Sequence, residues 1–199
     1  YYHRKAQNPE LALAPTGFEY KEIPFILTLD EEGTLCHIED TRVGQGSKQR
    51  AKSECVPQSV KKTSGIAANV LWGNAEYVLG LDTKGKSERV KAQHAAFINK
   101  IHHLRLADTS KEVAAVLAFL ESLDLTSLQA QPLWDEIVKT NPNLTFRLQG
   151  ESHLVCQSAE VQAVLRNGAA TPIATLKTAC LITGKAAEIE RLHPAIKGV

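Results

Sequence analysis

No methionine occurs among the 199 residues, and no apolar run approaches the roughly 20 residues that a membrane-spanning helix requires. The opening Tyr1-Tyr2-His3-Arg4-Lys5 also lacks the apolar core of a signal peptide. These absences lead to the expectation of a soluble, cytoplasmic protein. The missing methionine and an ending at Leu192–Val199 that does not read as a natural terminus suggest the N-terminal domain of a longer chain. Cys36, Cys55, Cys156 and Cys180 lie far apart with no Cys-x-x-Cys pair, so reduced and mostly buried thiols are expected.

Chemistry-bearing motifs are missing too. There is no phosphate-binding Gly-x-x-x-x-Gly-Lys-Ser/Thr loop, no Gly-x-Gly-x-x-Gly and no Gly-x-Ser-x-Gly elbow. Zinc wants three or four ligands at paired spacings, whereas Cys180 and His193 offer two. Those two read as a core thiol and a His-Pro turn. His102 and His103 are adjacent, hence about 100° apart on a helix, and cannot easily share a metal. The carboxylate pairs Glu39-Asp40 and Asp135-Glu136 diverge for the same reason. No catalytic residue, metal or cofactor is therefore nominated, and the expectation is a protein that is not an enzyme.

Charge is what the chain distributes unevenly. Residues 1–40 carry three Lys/Arg against eight Asp/Glu, whereas residues 42–105 carry twelve against four. A basic middle in a chain of net charge +1 is either a solvated face or the footprint of a surface that meets phosphates.

The periodicities predict an α+β fold with antiparallel β-hairpins, a small mixed sheet and a packed helical bundle. Its parts are β-rich (18–82), helical (87–140) and β/α (143–199). Ile23–Leu29 and Thr34–Ile38 flank the turn residues Asp30-Glu31-Glu32-Gly33 as a hairpin. Gly44 to Lys52 reads as a mobile loop or a basic hairpin arm, and strands are expected at Glu54–Val56 and Glu76–Leu81. Val90, His94, Phe97, Ile98, Ile101 and Leu104 place a helix over 87–106. Thr109 to Glu112 reads as a capping box before a second helix, and a third runs from Pro132 to Lys139. A second hairpin is expected from Leu144–Leu148 and His153–Cys156, then a helix capped by Ser158 and a strand over Thr175–Ile182.

Lys61 to Gly80 carries the most functional information. Lys61 and Lys62 bring ammonium groups, and Thr63 and Ser64 bring hydroxyls that suit phosphate oxygens. Asn69 and Asn74 follow in a stretch of small residues. An Asn amide donates and accepts, so it either reads a base edge or supports a turn through its own backbone. Trp72 and Tyr77 read as packing anchors. Arg50 and Lys52, on the basic arm, add candidate phosphate contacts.

The segment Thr63-Ser64-Gly65-Ile66…Asn69…Leu71-Trp72…Asn74…Tyr77-Val78-Leu79-Gly80 resembles the CRISPR-associated large-subunit family of subtype I-C Cascade. Gly17–Phe25 through Ile38–Arg42, and Cys180–Gly184 through Arg191–Val199, are similar to the same family. The resemblance covers nearly the whole chain in order. It implies a bacterial, non-catalytic surveillance subunit that inspects the protospacer-adjacent motif on duplex target DNA, helps open the duplex and recruits the helicase-nuclease. Its implied partners are target DNA, guide RNA, other Cascade subunits and phage anti-CRISPR proteins that mimic DNA. Such a subunit reads a short motif while the guide reads the long sequence by pairing. On this reading Asn69 and Asn74 touch bases, and Arg50, Lys52, Lys61, Lys62, Thr63 and Ser64 grip phosphates. The alternative is a scaffold that contacts guide RNA and neighbouring subunits without base readout.

Overall fold

Phe25-Ile26-Leu27-Thr28-Leu29 is buried at every position, so this strand is covered on both faces and belongs at the centre of a sheet. The computed structural model describes residues 14–44, 46, 49–60 and 65–169, with two short strands at 177–179 and 186–188. The strands of the first part are β1 (Phe18–Glu22), β2 (Phe25–Leu29), β3 (Leu35–Asp40), β4 (Ser53–Pro57), β5 (Trp72–Asn74) and β6 (Asn143–Leu148). Its helices are α1 (Ala75–Val78), α2 (Ser87–His102), α3 (Lys111–Glu121), α4 (Leu125–Gln129), α5 (Trp134–Thr140) and α6 (Ala159–Ala169).

The main sheet has the order β3-β2-β6-β5, and β1 pairs with β4 in a separate antiparallel ribbon. β2 and β6 run parallel with Leu27 opposite Phe146, and the other pairs are antiparallel. The sheet is mixed, as expected. The β2–β3 hairpin forms where the sequence placed it, with Gly33 at φ 84° in the turn. A Cβ on Gly33 would lie 2.6 Å from the Ala115 carbonyl oxygen, so the tip of the hairpin packs directly on the backbone of α3. Phe97 of α2 and Phe119 of α3 meet Phe146 of β6 at ring-centroid distances of 6.4 and 6.2 Å. The helices thus pack over the sheet through aromatic contacts as well as on one another. The arm after β3 is a hairpin, closed by reciprocal backbone hydrogen bonds between Val43 and Arg50 at 2.9 and 3.0 Å.

Four sequence expectations are corrected. Glu76–Leu81 is not a strand: the Asn74 side chain accepts from the Tyr77 amide and starts the helical turn α1, which overrides the β preference of Tyr-Val-Leu. His153–Cys156 forms no hairpin with β6, because both edges of β6 are already taken by β2 and β5. Val155–Gln157 is instead a short 3-10 turn, with Gln157 Oε1 accepting from the Leu154 amide at 3.1 Å. The cap of α3 is Ser110, not Thr109, and Glu112 turns toward His153. Ser158 does precede α6, but its buried hydroxyl has no hydrogen-bond partner among the described residues.

Cysteine placement is mixed: Cys36 is exposed, Cys55 is half-buried and Cys156 is buried, all three as free thiols. Burial pushes the Cys156 thiol up to about 12, which keeps it protonated and inert. Cys180 and His193 lie outside the described residues. The chain divides into Tyr1–Arg166 and Asn167–Val199, and the second unit's described residues are the last three of α6 and one antiparallel pair, β7 (Lys177–Ala179) and β8 (Ala186–Glu188). β7 covers the middle of the expected Thr175–Ile182 strand. Among the described residues no helix is long and apolar enough to cross a membrane.

Arg42 ties the hairpin to the helical layer. Its guanidinium bonds Asp40 at 2.7 Å and the Glu136 carboxylate of α5, and lies 4.6 Å above the Phe25 ring. These bonds hold both carboxyls below their ordinary range. A carboxyl with a depressed folded value stabilises the fold above its unfolded value and loses that contribution as pH falls. Thermal unfolding should therefore show a stability loss between about pH 5 and pH 3. Arg42→Met should flatten that limb and cost about 1–3 kcal/mol at neutral pH by calorimetry, since both carboxylates keep partial access to water.

Candidate nucleic-acid interface

Trp72 positions the stretch that the sequence singled out. It is buried at 2% exposure, and its indole N–H donates to the Pro57 carbonyl at 2.8 Å, fastening β5 to the end of β4. One residue earlier, Leu71 is fully buried with φ 60°, a left-handed conformation uncommon for a bulky side chain. The Thr145 hydroxyl on β6 donates to the Leu71 carbonyl at 2.9 Å and holds that conformation. The chain therefore turns sharply between Asn69 and Asn74.

Both asparagines use their carbonyl oxygens on the backbone. Asn69 Oδ1 accepts from the Val60 amide at 3.0 Å, which brings Asn69 beside the residues that follow β4. Asn74 Oδ1 accepts from the Tyr77 amide at 3.3 Å as the cap of α1. Neither side-chain NH2 group has a partner among the described residues. The two side chains nevertheless meet in one open cleft of about 270 Å³. Lys21, Ser59 and Asn143 line it with them, over the Trp72 ring. Asn143 stands directly opposite Asn74 in the β5–β6 register, and Lys21 Nζ lies 5.9 Å from the Trp72 ring centroid.

Among the described residues no acidic side chain lines this cleft, and Lys21 is the charged residue in its lining. A lining of amide and ammonium donors suits an anionic, acceptor-rich ligand. Phosphates and base edges both qualify.

The other nominated residues are distributed differently. Lys61, Lys62, Thr63 and Ser64 lie outside the described residues. Arg50 is exposed on the arm. Lys52 is exposed as well, with its ammonium 2.8 Å from Glu54. Neither Arg50 nor Lys52 lines the cleft. His102 faces Glu121 at 2.9 Å and His103 the Asn99 carbonyl at 2.5 Å, so the adjacent imidazoles do diverge. The Glu39-Asp40 pair diverges too: Glu39 bonds Arg147, whereas Asp40 bonds Arg42, which also takes Glu136.

Sequence reasoning missed Lys21 and Asn143. Lys21 lies in the alternating Phe18–Glu22 strand, and Asn143 follows the Asn141-Pro142 helix stop. Each signal was local, whereas their meeting depends on pairings distant in sequence.

The family of CRISPR-associated proteins designated Cas_Csd1 matches residues 1–199, and the chain belongs to that family. This is a family of the Cascade type. Among curated proteins, none matches the chain.

The double duty of Asn74 makes a separable prediction. Asn74→Ala should cost about 1 kcal/mol in chemical denaturation through loss of the cap, whereas Asn74→Ser, which keeps an acceptor oxygen, should stay close to wild type.

Proposed function

We propose that this protein is a non-catalytic subunit of a type I-C Cascade complex that recognises the protospacer-adjacent motif on duplex target DNA. The observation that carries this reading is the convergence of Asn69, Asn74, Asn143 and Lys21 in one cleft with no acidic residue in its described lining. Asn69 and Asn74, held through their carbonyl oxygens, keep their NH2 donors at fixed positions, which is what discrimination between base edges demands. The Asn143 NH2 instead donates to the Glu22 carbonyl at 3.4 Å. Lys21, Lys61 and Lys62, with Thr63 and Ser64, supply phosphate contacts beside them, and Arg50 and Lys52 extend the basic surface along the arm. Docking the motif seeds duplex opening, after which guide pairing proceeds and the helicase-nuclease is recruited. Acidic phage proteins that imitate DNA would compete for the same surface.

A second reading has an observation of its own. Both Asn carbonyl oxygens hold turns, so the segment also fits a scaffold whose basic strip meets guide RNA and neighbouring subunits.

Binding of the assembled complex to motif-bearing and scrambled duplexes separates the two. Asn74→Ser, with the cap preserved, should lose about 1–3 kcal/mol on the motif duplex and little on the scrambled one. Removing Lys61 or Lys62 should flatten the salt dependence by about one unit without altering sequence preference, and Lys52, paired to Glu54, should do less. Equal affinity for both duplexes in wild type and variants, with intact guide-RNA binding, would establish the scaffold instead.

A further inference from the structure

The turn after β6 faces the first turn of α3 with three ionisable side chains. His153 Nε2 lies 2.8 Å from Glu112 Oε1, and His153 Nδ1 lies 3.5 Å from Glu151 Oε2. One ligand atom from each of Glu112, Glu151 and His153 falls within 4.8 Å of the others. The second oxygen of Glu112 is buried and has no hydrogen-bond partner among the described residues. An unpaired carboxylate oxygen withdrawn from water is costly unless a donor or a cation meets it.

Two carboxylates thus share a single imidazole, and the second Glu112 oxygen stays unmet. A divalent ion would supply both the charge and the missing partner.

We propose that Glu112, Glu151 and His153 form a site for a divalent transition-metal ion, best matched by Zn²⁺. Two carboxylate oxygens and an imidazole nitrogen are a borderline-soft set with three protein ligands, which leaves a fourth position for water. The nitrogen ligand disfavours Mg²⁺ and Ca²⁺, which take oxygen. The ion would staple the start of α3 to the turn that follows β6, away from the asparagine cleft. Its role is structural, and it is independent of the DNA-binding proposal.

Calorimetric titration of the full chain with Zn²⁺, on a Cys36→Ser background that removes an exposed thiol ligand, tests this. The expected result is one site that excess Mg²⁺ does not displace, with a higher melting temperature on loading. Glu151 is half exposed, so Glu151→Gln should fold normally without metal, yet weaken Zn²⁺ binding about tenfold or more. His153→Gln should weaken it further. Absence of a stoichiometric site, or Zn²⁺ affinity unchanged in both Glu151→Gln and His153→Gln, overturns the proposal and leaves an ordinary Glu–His–Glu bridge.

Discussion

β6 is the strand on which the first unit of this protein depends. Its two edges are filled by strands that come from well before it in the chain, β2 in parallel and β5 in antiparallel register. Phe146 on this strand receives both Phe97 and Phe119, and the neighbouring Thr145 hydroxyl holds the left-handed Leu71. The same strand therefore joins the helical layer to the sheet and sets the turn that aims the asparagines. Parallel pairing between residues so distant in sequence carries a large loop-closure cost, which the fully buried β2 and the aromatic contacts offset.

The cleft follows from that arrangement. Lys21 comes from the β1–β4 ribbon, Asn69 from the loop after β4, Asn74 from β5 and Asn143 from β6. Each of these side chains is fixed by a local device: a ring beneath Lys21, a backbone bond for Asn69, a helix cap for Asn74 and a cross-strand position for Asn143. Base reading and turn support, which compete as explanations of the asparagines, are compatible in this geometry. The carbonyl oxygen does the structural task, and the NH2 group has no partner among the described residues.

Much of the fold was legible wherever the signal is local. The β2–β3 hairpin announced itself by alternating apolar residues around Asp30–Gly33, and α2 and α3 by their three- and four-residue spacings. Misreadings arose where a single polar side chain outweighs propensity, as with Asn74 before Tyr-Val-Leu, or Gln157 beside Val155. They also arose where pairing is non-local: nothing near His153 reveals that β6 has no edge left. The same limit hid half the cleft. Asn69 and Asn74 stand out by composition, but Lys21 and Asn143 join them only through sheet topology.

The central claim is that the asparagine cleft, and not the basic arm alone, meets the motif. Photo-crosslinking in the assembled complex, with a reactive base analogue placed inside the motif and the adducts mapped by mass spectrometry, tests this most directly. Adducts are expected within 69–77 or at Lys21 and Asn143, and are lost when the motif is scrambled. Adducts confined to the arm around Arg50, or unchanged by scrambling, would contradict it.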